Sequence, residues 1–130
     1  MPTNCPCDSG RPYAACCRPY IAGEAQAPTA EALMRSRYSA FTRNAIDYLR
    51  HSWHPDTCPS DLTPDPSATW IGLKILATEA DGPDDETATV EFVARYKIGG
   101  RAYRLHERSR FVRYQGRWVY LDGTFNPPSH

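Results

Sequence analysis

Four of the five cysteines in this 130-residue chain fall within its first 17 positions, as Cys5, Cys7, Cys16 and Cys17. Their spacing is C-x-C, eight residues, then C-C. Thiolates are soft anionic donors, and four of them at about 2.3 Å from one Zn²⁺ complete a structural tetrahedron with no open position for a substrate. The expectation is therefore one Zn²⁺ per chain, with none held by Cys58. Such a centre is net anionic and calls for nearby N–H groups and cations, for which Arg11 and Arg18 are candidates. The competing readings are buried or disulfide-bonded thiols and a transient redox pair. Adjacent cysteines such as Cys16 and Cys17 bridge each other only with strain. Residues 1–10 contain neither a basic segment nor an apolar one of the secretory kind, so a reducing, cytoplasmic location is expected.

Two further groups could do chemistry. Glu107, Ser109 and Asp122 are polar residues in a region of alternating apolar and polar positions. A carboxylate on an apolar face acquires a raised pKa, useful for acid or base work. The plainer reading is a structural network closed by Arg35 or Arg37. His51, His54 and Cys58 have a spacing that could contribute metal ligands, but Trp53 and Pro55 intervene and no fourth donor is evident. The row Arg104, His106, Arg108 and Arg110 reads as a solvated outer face.

The elements that position these residues follow from period and caps. Thr29 can cap a helix with Glu31 in its first turn, and Met34, Tyr38 and Phe41 recur at i, i+4 and i+7, predicting a helix over 30–42. Asn44 and Asp47 repeat the cap signal for a short second helix ending near His51. Four prolines and three aspartates between Pro55 and Pro66 read as a loop. Beyond Ala68 the period becomes two. Strands are expected over Trp70–Thr78, around Ala88–Ile98, in the segment following Gly99–Gly100, and over Arg117–Asp122. The Asp81–Glu86 loop, the Gly99–Gly100 hairpin turn and a turn at Gln115–Gly116 join them into an antiparallel meander. Two-residue steps place Phe92 opposite Glu107, Val90 opposite Ser109 and Phe111 opposite Tyr120. They also place Ser109 opposite Asp122, so that Glu107, Ser109 and Asp122 share the core-facing side.

Composition bounds the rest. Fifteen aromatics and 41% hydrophobic residues argue against disorder, and no apolar run approaches the about 18 residues of a membrane span. Net charge is zero, but the segment 59–88 holds one lysine against seven carboxylates, and 89–130 holds eight arginines and lysines against three. Nucleic-acid binding is disfavoured nonetheless, because the aromatics among those arginines alternate onto a core face. Helices followed by a curved antiparallel sheet make an α+β chain, with a cysteine knuckle over 1–27 and an α+β domain over 28–130.

The stretch Cys5-Pro6-Cys7-Asp8-Ser9-Gly10-Arg11-Pro12-Tyr13, followed by Cys16-Cys17, resembles the SEC-C motif, the zinc knuckle at the C-terminus of the SecA translocation ATPase. That resemblance implies that Cys5, Cys7, Cys16 and Cys17 are the zinc ligands. It departs at Asp8, where a glycine is common. The continuation Ala27-Pro28-Thr29-Ala30-Glu31, then Leu33-Met34-Arg35-Ser36-Arg37-Tyr38-Ser39-Ala40-Phe41, resembles the YchJ family over nearly the whole chain. The family implies a SEC-C knuckle ahead of a nuclear transport factor 2-like domain, a cone of helices on a curved sheet, and it implies no established activity. In SecA the knuckle contacts the chaperone SecB and the membrane surface or ribosome, so a protein partner related to translocation or chaperones is conceivable.

Two functions of different classes remain. The leading one is a cytoplasmic zinc-binding adaptor whose knuckle and sheet contact a protein partner. The other is a small-molecule binder or enzyme using the cone, with Glu107 or Asp122 as acid or base. An enclosed cavity reaching Glu107 favours the second. A cone filled by Tyr103, Phe92, Phe111 and Tyr120 favours the first.

Overall fold

The structure, a computed structural model, describes residues 4–7, 9–59, 68–79 and 85–125, with the backbone alone at 125. Asp8, residues 60–66 of the proline-rich loop and residues 81–84 of the acidic loop lie outside them. A 3-10 turn over Tyr13–Ala15 and helix α1 (Arg18–Ile21) lead to α2 (Ala30–Arg43) and α3 (Ile46–His51). Strands β1 (Thr69–Glu79), β2 (Thr87–Ile98), β3 (Arg101–Tyr114) and β4 (Arg117–Phe125) follow as one antiparallel sheet in the order β1-β2-β3-β4. Helix α2 packs against β1, β2 and β4, and α1 and α3 pack against α2.

Helix α2 begins where Thr29 accepts a hydrogen bond from the Ala32 N–H at 3.0 Å. Asn44 corrects the expected second cap. It adopts a left-handed conformation (φ 59°) and closes α2, and Ala45 stands at the start of α3 with no side-chain cap. Asparagine tolerates that conformation better than most residues, so it serves the stop of one helix instead of the start of the next.

The hairpin between β2 and β3 turns on Gly99 and Gly100, both at positive φ, which side chains rarely adopt. Ile98 faces Arg101, Phe92 faces Glu107 and Val90 faces Ser109, as two-residue steps require. Between β3 and β4 the register holds only as far as Phe111 opposite Tyr120. Leu121 is then an extra residue, so Arg110 faces Asp122 and Ser109 faces Gly123. A β-bulge of this kind reverses which side chains point inward beyond it. The expected inward placement of Asp122 is therefore corrected. The bulge is tied down from outside the sheet: the Thr57 hydroxyl donates to the Leu121 carbonyl at 2.6 Å, and the His54 N–H donates to the Tyr120 carbonyl at 2.8 Å.

The core is continuous from knuckle to sheet. Leu33, Met34 and Tyr38 of α2 pack with Ala88, Val90, Phe92 and Ala94 of β2, with Phe111 and Trp118, and with all four knuckle cysteines. Burying one large side chain such as Phe111 contributes about 1.5–3 kcal/mol, so this contact carries much of the fold. Among the described residues no helix is long and apolar enough to cross a membrane.

Candidate functional site

The first site is the cysteine cluster. The 3-10 turn and α1 bring Cys16 and Cys17 back onto Cys5 and Cys7. All four sulfur atoms lie within 4.8 Å of one another and all four residues are buried. Cys7 Sγ stands 3.6 Å from Cys16 Sγ, and Cys16 Sγ stands 3.9 Å from Cys17 Sγ. A tetrahedron with bonds of about 2.3 Å has edges of about 3.8 Å, so these donors already stand where a metal would hold them. The two separations also exceed the about 2.05 Å of a disulfide bond.

The electrostatics point the same way. Hydrogen bonds from the Cys17 and Cys7 thiols hold Cys5 far below the ordinary thiol range. The same pairing with Cys5 and Cys7, together with burial, pushes Cys17 far up, and burial raises Cys16. One thiolate is thus stabilised at its neighbours' expense, and four together need a central cation. Hydroxyls support the cluster: Ser9 Oγ lies 3.1 Å from Cys16 Sγ, and Ser39 Oγ lies 3.4 Å from Cys5 Sγ. Arg35 donates to the Cys7 carbonyl at 2.7 Å and to Glu31 at 3.0 Å. Of the cations expected near the cluster, Arg11 spends a donor on the Ala15 carbonyl. Arg35, expected to close the Glu107 network, serves the knuckle instead.

The second site lies on the far side of α2. Residues two apart on a helix differ by about 200° around its axis. Arg35 therefore faces the knuckle while Arg37 faces the sheet. Between α2 and the inner face of the sheet lies a partly enclosed cavity of about 260 Å³. Its apolar walls include Met34, Tyr38, Phe41, Trp53, Trp70, Phe92 and Ala94, and its polar lining comprises Arg37, Glu107, Ser109 and Tyr120. Trp70 stands edge-on to Tyr38, with ring centroids 5.7 Å apart.

Glu107 is 6% exposed and Ser109 is fully buried. The Ser109 hydroxyl donates to Glu107 Oε2, and the Tyr120 hydroxyl donates to the same oxygen at 3.2 Å. Burial and the Glu107 charge push the Tyr120 phenol far up, which keeps it a donor. Arg37 is 3% exposed, donates through Nη1 to the Leu49 carbonyl at 2.9 Å and to Ser52 Oγ at 2.7 Å, and lies against both Trp53 and Tyr120. Burial pulls its pKa down to about 10, so it remains charged at neutral pH. Gly123, opposite Ser109, is where a side chain would collide with Glu107: a Cβ there would lie 2.7 Å from Glu107 Cδ. A glycine inside a strand is the sequence signal of such close approach. Trp53 and Trp70 carried no signal that separated wall from core.

The remaining candidates separate. Asp122 pairs bidentately with Arg110 on the other face, and that guanidinium lowers its pKa. Glu91 accepts from His106 at 2.8 Å and from Arg108 at 3.1 Å, which lowers its pKa on the same face. His54 Nδ1 accepts the Asp56 N–H, Cys58 turns to the Pro59 carbonyl, and burial with the charge of Arg117 lowers His51. Among the described residues these three form no metal-holding group; the four-cysteine cluster does.

A compact cysteine knuckle ahead of helices on a four-stranded sheet defines a SEC-C motif joined to an NTF2-like domain. The SEC-C motif model matches residues 1–19, and the model "YchJ, middle NTF2-like domain" matches residues 29–123. The chain belongs to the YchJ family. It is 54% identical to a UPF0225 protein of Cupriavidus pinatubonensis, over 94% of this chain and 88% of the relative. With a UPF0225 protein of Deinococcus radiodurans it shares 50% identity, over 91% of this chain and 86% of the relative. The solution structure of a SEC-C motif containing protein from Rhodopseudomonas palustris superposes with a TM-score of 0.82 at 34% identity, covering 94% of this chain and 98% of that one.

Proposed function

We propose that this chain is a cytoplasmic protein in which Cys5, Cys7, Cys16 and Cys17 hold one structural Zn²⁺, and in which the cone binds a small, mainly apolar molecule. The observation that carries the second half is the cavity reaching Glu107, walled by aromatic rings that leave it open instead of filling it. Ligand sites have this composition, with apolar walls and a few convergent polar groups. Because Asp122 faces away, a two-carboxylate acid–base pair is not part of this reading, and Glu107 acts as a binding group.

The zinc assignment is tested by elemental analysis of purified protein: one equivalent in the wild type and a deficit in Cys16→Ser. The pocket is tested by titrating neutral aromatic fragments into the zinc-loaded chain and following the Trp53 and Trp70 indole signals by NMR. Shifts confined to the cavity and abolished by a filling substitution, Ala94→Leu, support it. No pocket-localised binding at millimolar fragment would remove it.

One observation favours a second reading, an adaptor with a protein partner of the translocation or chaperone kind. Ile71, Leu76 and Tyr103 are 48%, 43% and 39% exposed. Pull-downs with wild type and an Ile71→Glu/Leu76→Glu variant test it, loss of a specific partner in the variant being the supporting result.

A further inference from the structure

Resting on the cone-pocket reading above, we infer that the cavity selects a neutral, planar, largely apolar molecule bearing one O–H or N–H donor, which Glu107 Oε1 accepts. The inference turns on where the polar groups of the wall have already spent their hydrogen bonds. Both protein donors to Glu107, Ser109 and Tyr120, go to Oε2. No described residue donates to Oε1, and that atom is absent from the fully sealed, unpartnered ones, which include Trp53 Nε1 and Trp118 Nε1. Glu107 itself lines the cavity. A carboxylate oxygen with free lone pairs therefore meets the apolar space. An apolar ligand without a donor would strip it of water and return nothing, whereas a donor would make a charge-assisted bond in a low-dielectric site.

Charge and shape narrow the class further. The cavity wall holds one cation and one anion, Arg37 and Glu107. Arg37 is already held by two Nη1 hydrogen bonds, and its guanidinium carbon lies 4.9 Å from the Trp53 ring and 4.8 Å from the Tyr120 ring. A ligand anion would gain at Arg37 and be repelled at Glu107, and a ligand cation the reverse, so neutrality is favoured. The facing walls are ring systems, Tyr38, Phe41, Trp70 and Phe92, which offer edges and faces to a flat molecule.

The test needs no variant to decide between the two levels of inference. The zinc-loaded full chain is titrated with 2-naphthol, 2-methoxynaphthalene and 2-naphthoate, which share one ring system and differ in donor and charge. Binding is read from NMR shifts of the cavity residues. The expected result is that 2-naphthol binds at least tenfold tighter than either analogue, and that Glu107→Gln, which keeps shape and removes charge, shrinks this preference severalfold. Equal binding of 2-naphthol and 2-methoxynaphthalene in the cavity would overturn the donor inference and leave the pocket standing. Tightest binding by 2-naphthoate would overturn it too and make Arg37 the selector. No cavity shifts with any of the three would remove the pocket reading itself.

Discussion

Gly123→Ala isolates the contact that holds Glu107 in place. An added Cβ would overlap Glu107 Oε2 and lie 2.7 Å from Cδ and 2.9 Å from Cγ, so the carboxylate must swing away. Gly123 is not among the positive-φ glycines, so backbone strain plays no part. Displacement breaks the bonds from Ser109 and Tyr120, each charge-assisted and worth about 1.5–3 kcal/mol. Against this, alanine in a strand is favoured over glycine by about 0.5–1 kcal/mol. If one of the two bonds re-forms after the shift, the net cost is about 0.5–2.5 kcal/mol, and if neither does, about 2–5.5 kcal/mol. Urea unfolding followed by tryptophan fluorescence measures it. The decisive control is a double-mutant cycle: on a Glu107→Ala background the same substitution meets no carboxylate and should be neutral or stabilising by about 0.5 kcal/mol. Equal costs in the two backgrounds would refute the reasoning, because the clash would then lie with the strand and not with Glu107.

Three further outcomes are expected. Removing the metal with a chelator should raise amide exchange in the knuckle and along α2, which meets it through Arg35 and Ser39, while the β2–β3 amides stay protected. Protection unchanged along α2 would mean that the boundary near residue 27 separates two independent units. Arg37→Lys should destabilise the chain by about 2 kcal/mol or more in urea unfolding, since an ammonium cannot reproduce the flat contact with Trp53 and Tyr120, and wild-type stability would contradict this. Asp122→Asn should leave ligand affinity unchanged and cause only a small loss of stability, because the pair with Arg110 is largely exposed. Asp122 has a folded pKa depressed below 3.8, so its contribution is present above that value and disappears as pH falls through the folded pKa. The loss should therefore be measurable at pH 7 and shrink as pH falls below 3.8 toward the folded pKa, and a loss that did not shrink on acidification would assign another role to Asp122.

What was legible in the amino-acid order is what depends on neighbours a few positions away. The donor set Cys5, Cys7, Cys16 and Cys17 is a matter of residue type and loop length, and Thr29, the apolar period of α2 and the Gly99–Gly100 turn act within one helical turn or one hairpin. The β2–β3 register follows from that hairpin, since alternation propagates faithfully along two strands joined by a tight turn. Tertiary structure decided the rest. The bulge at Leu121, tied by Thr57 from more than sixty residues away, exchanged Asp122 for Gly123 beside Ser109 and so dismantled the carboxylate pair. It also decided that Arg35 serves the knuckle and Arg37 the cavity, because which flank of α2 meets which neighbour depends on how the whole chain packs around it. The cavity exists for the same reason: only the placement of Trp53, Trp70 and Tyr120 around Glu107 leaves space between them.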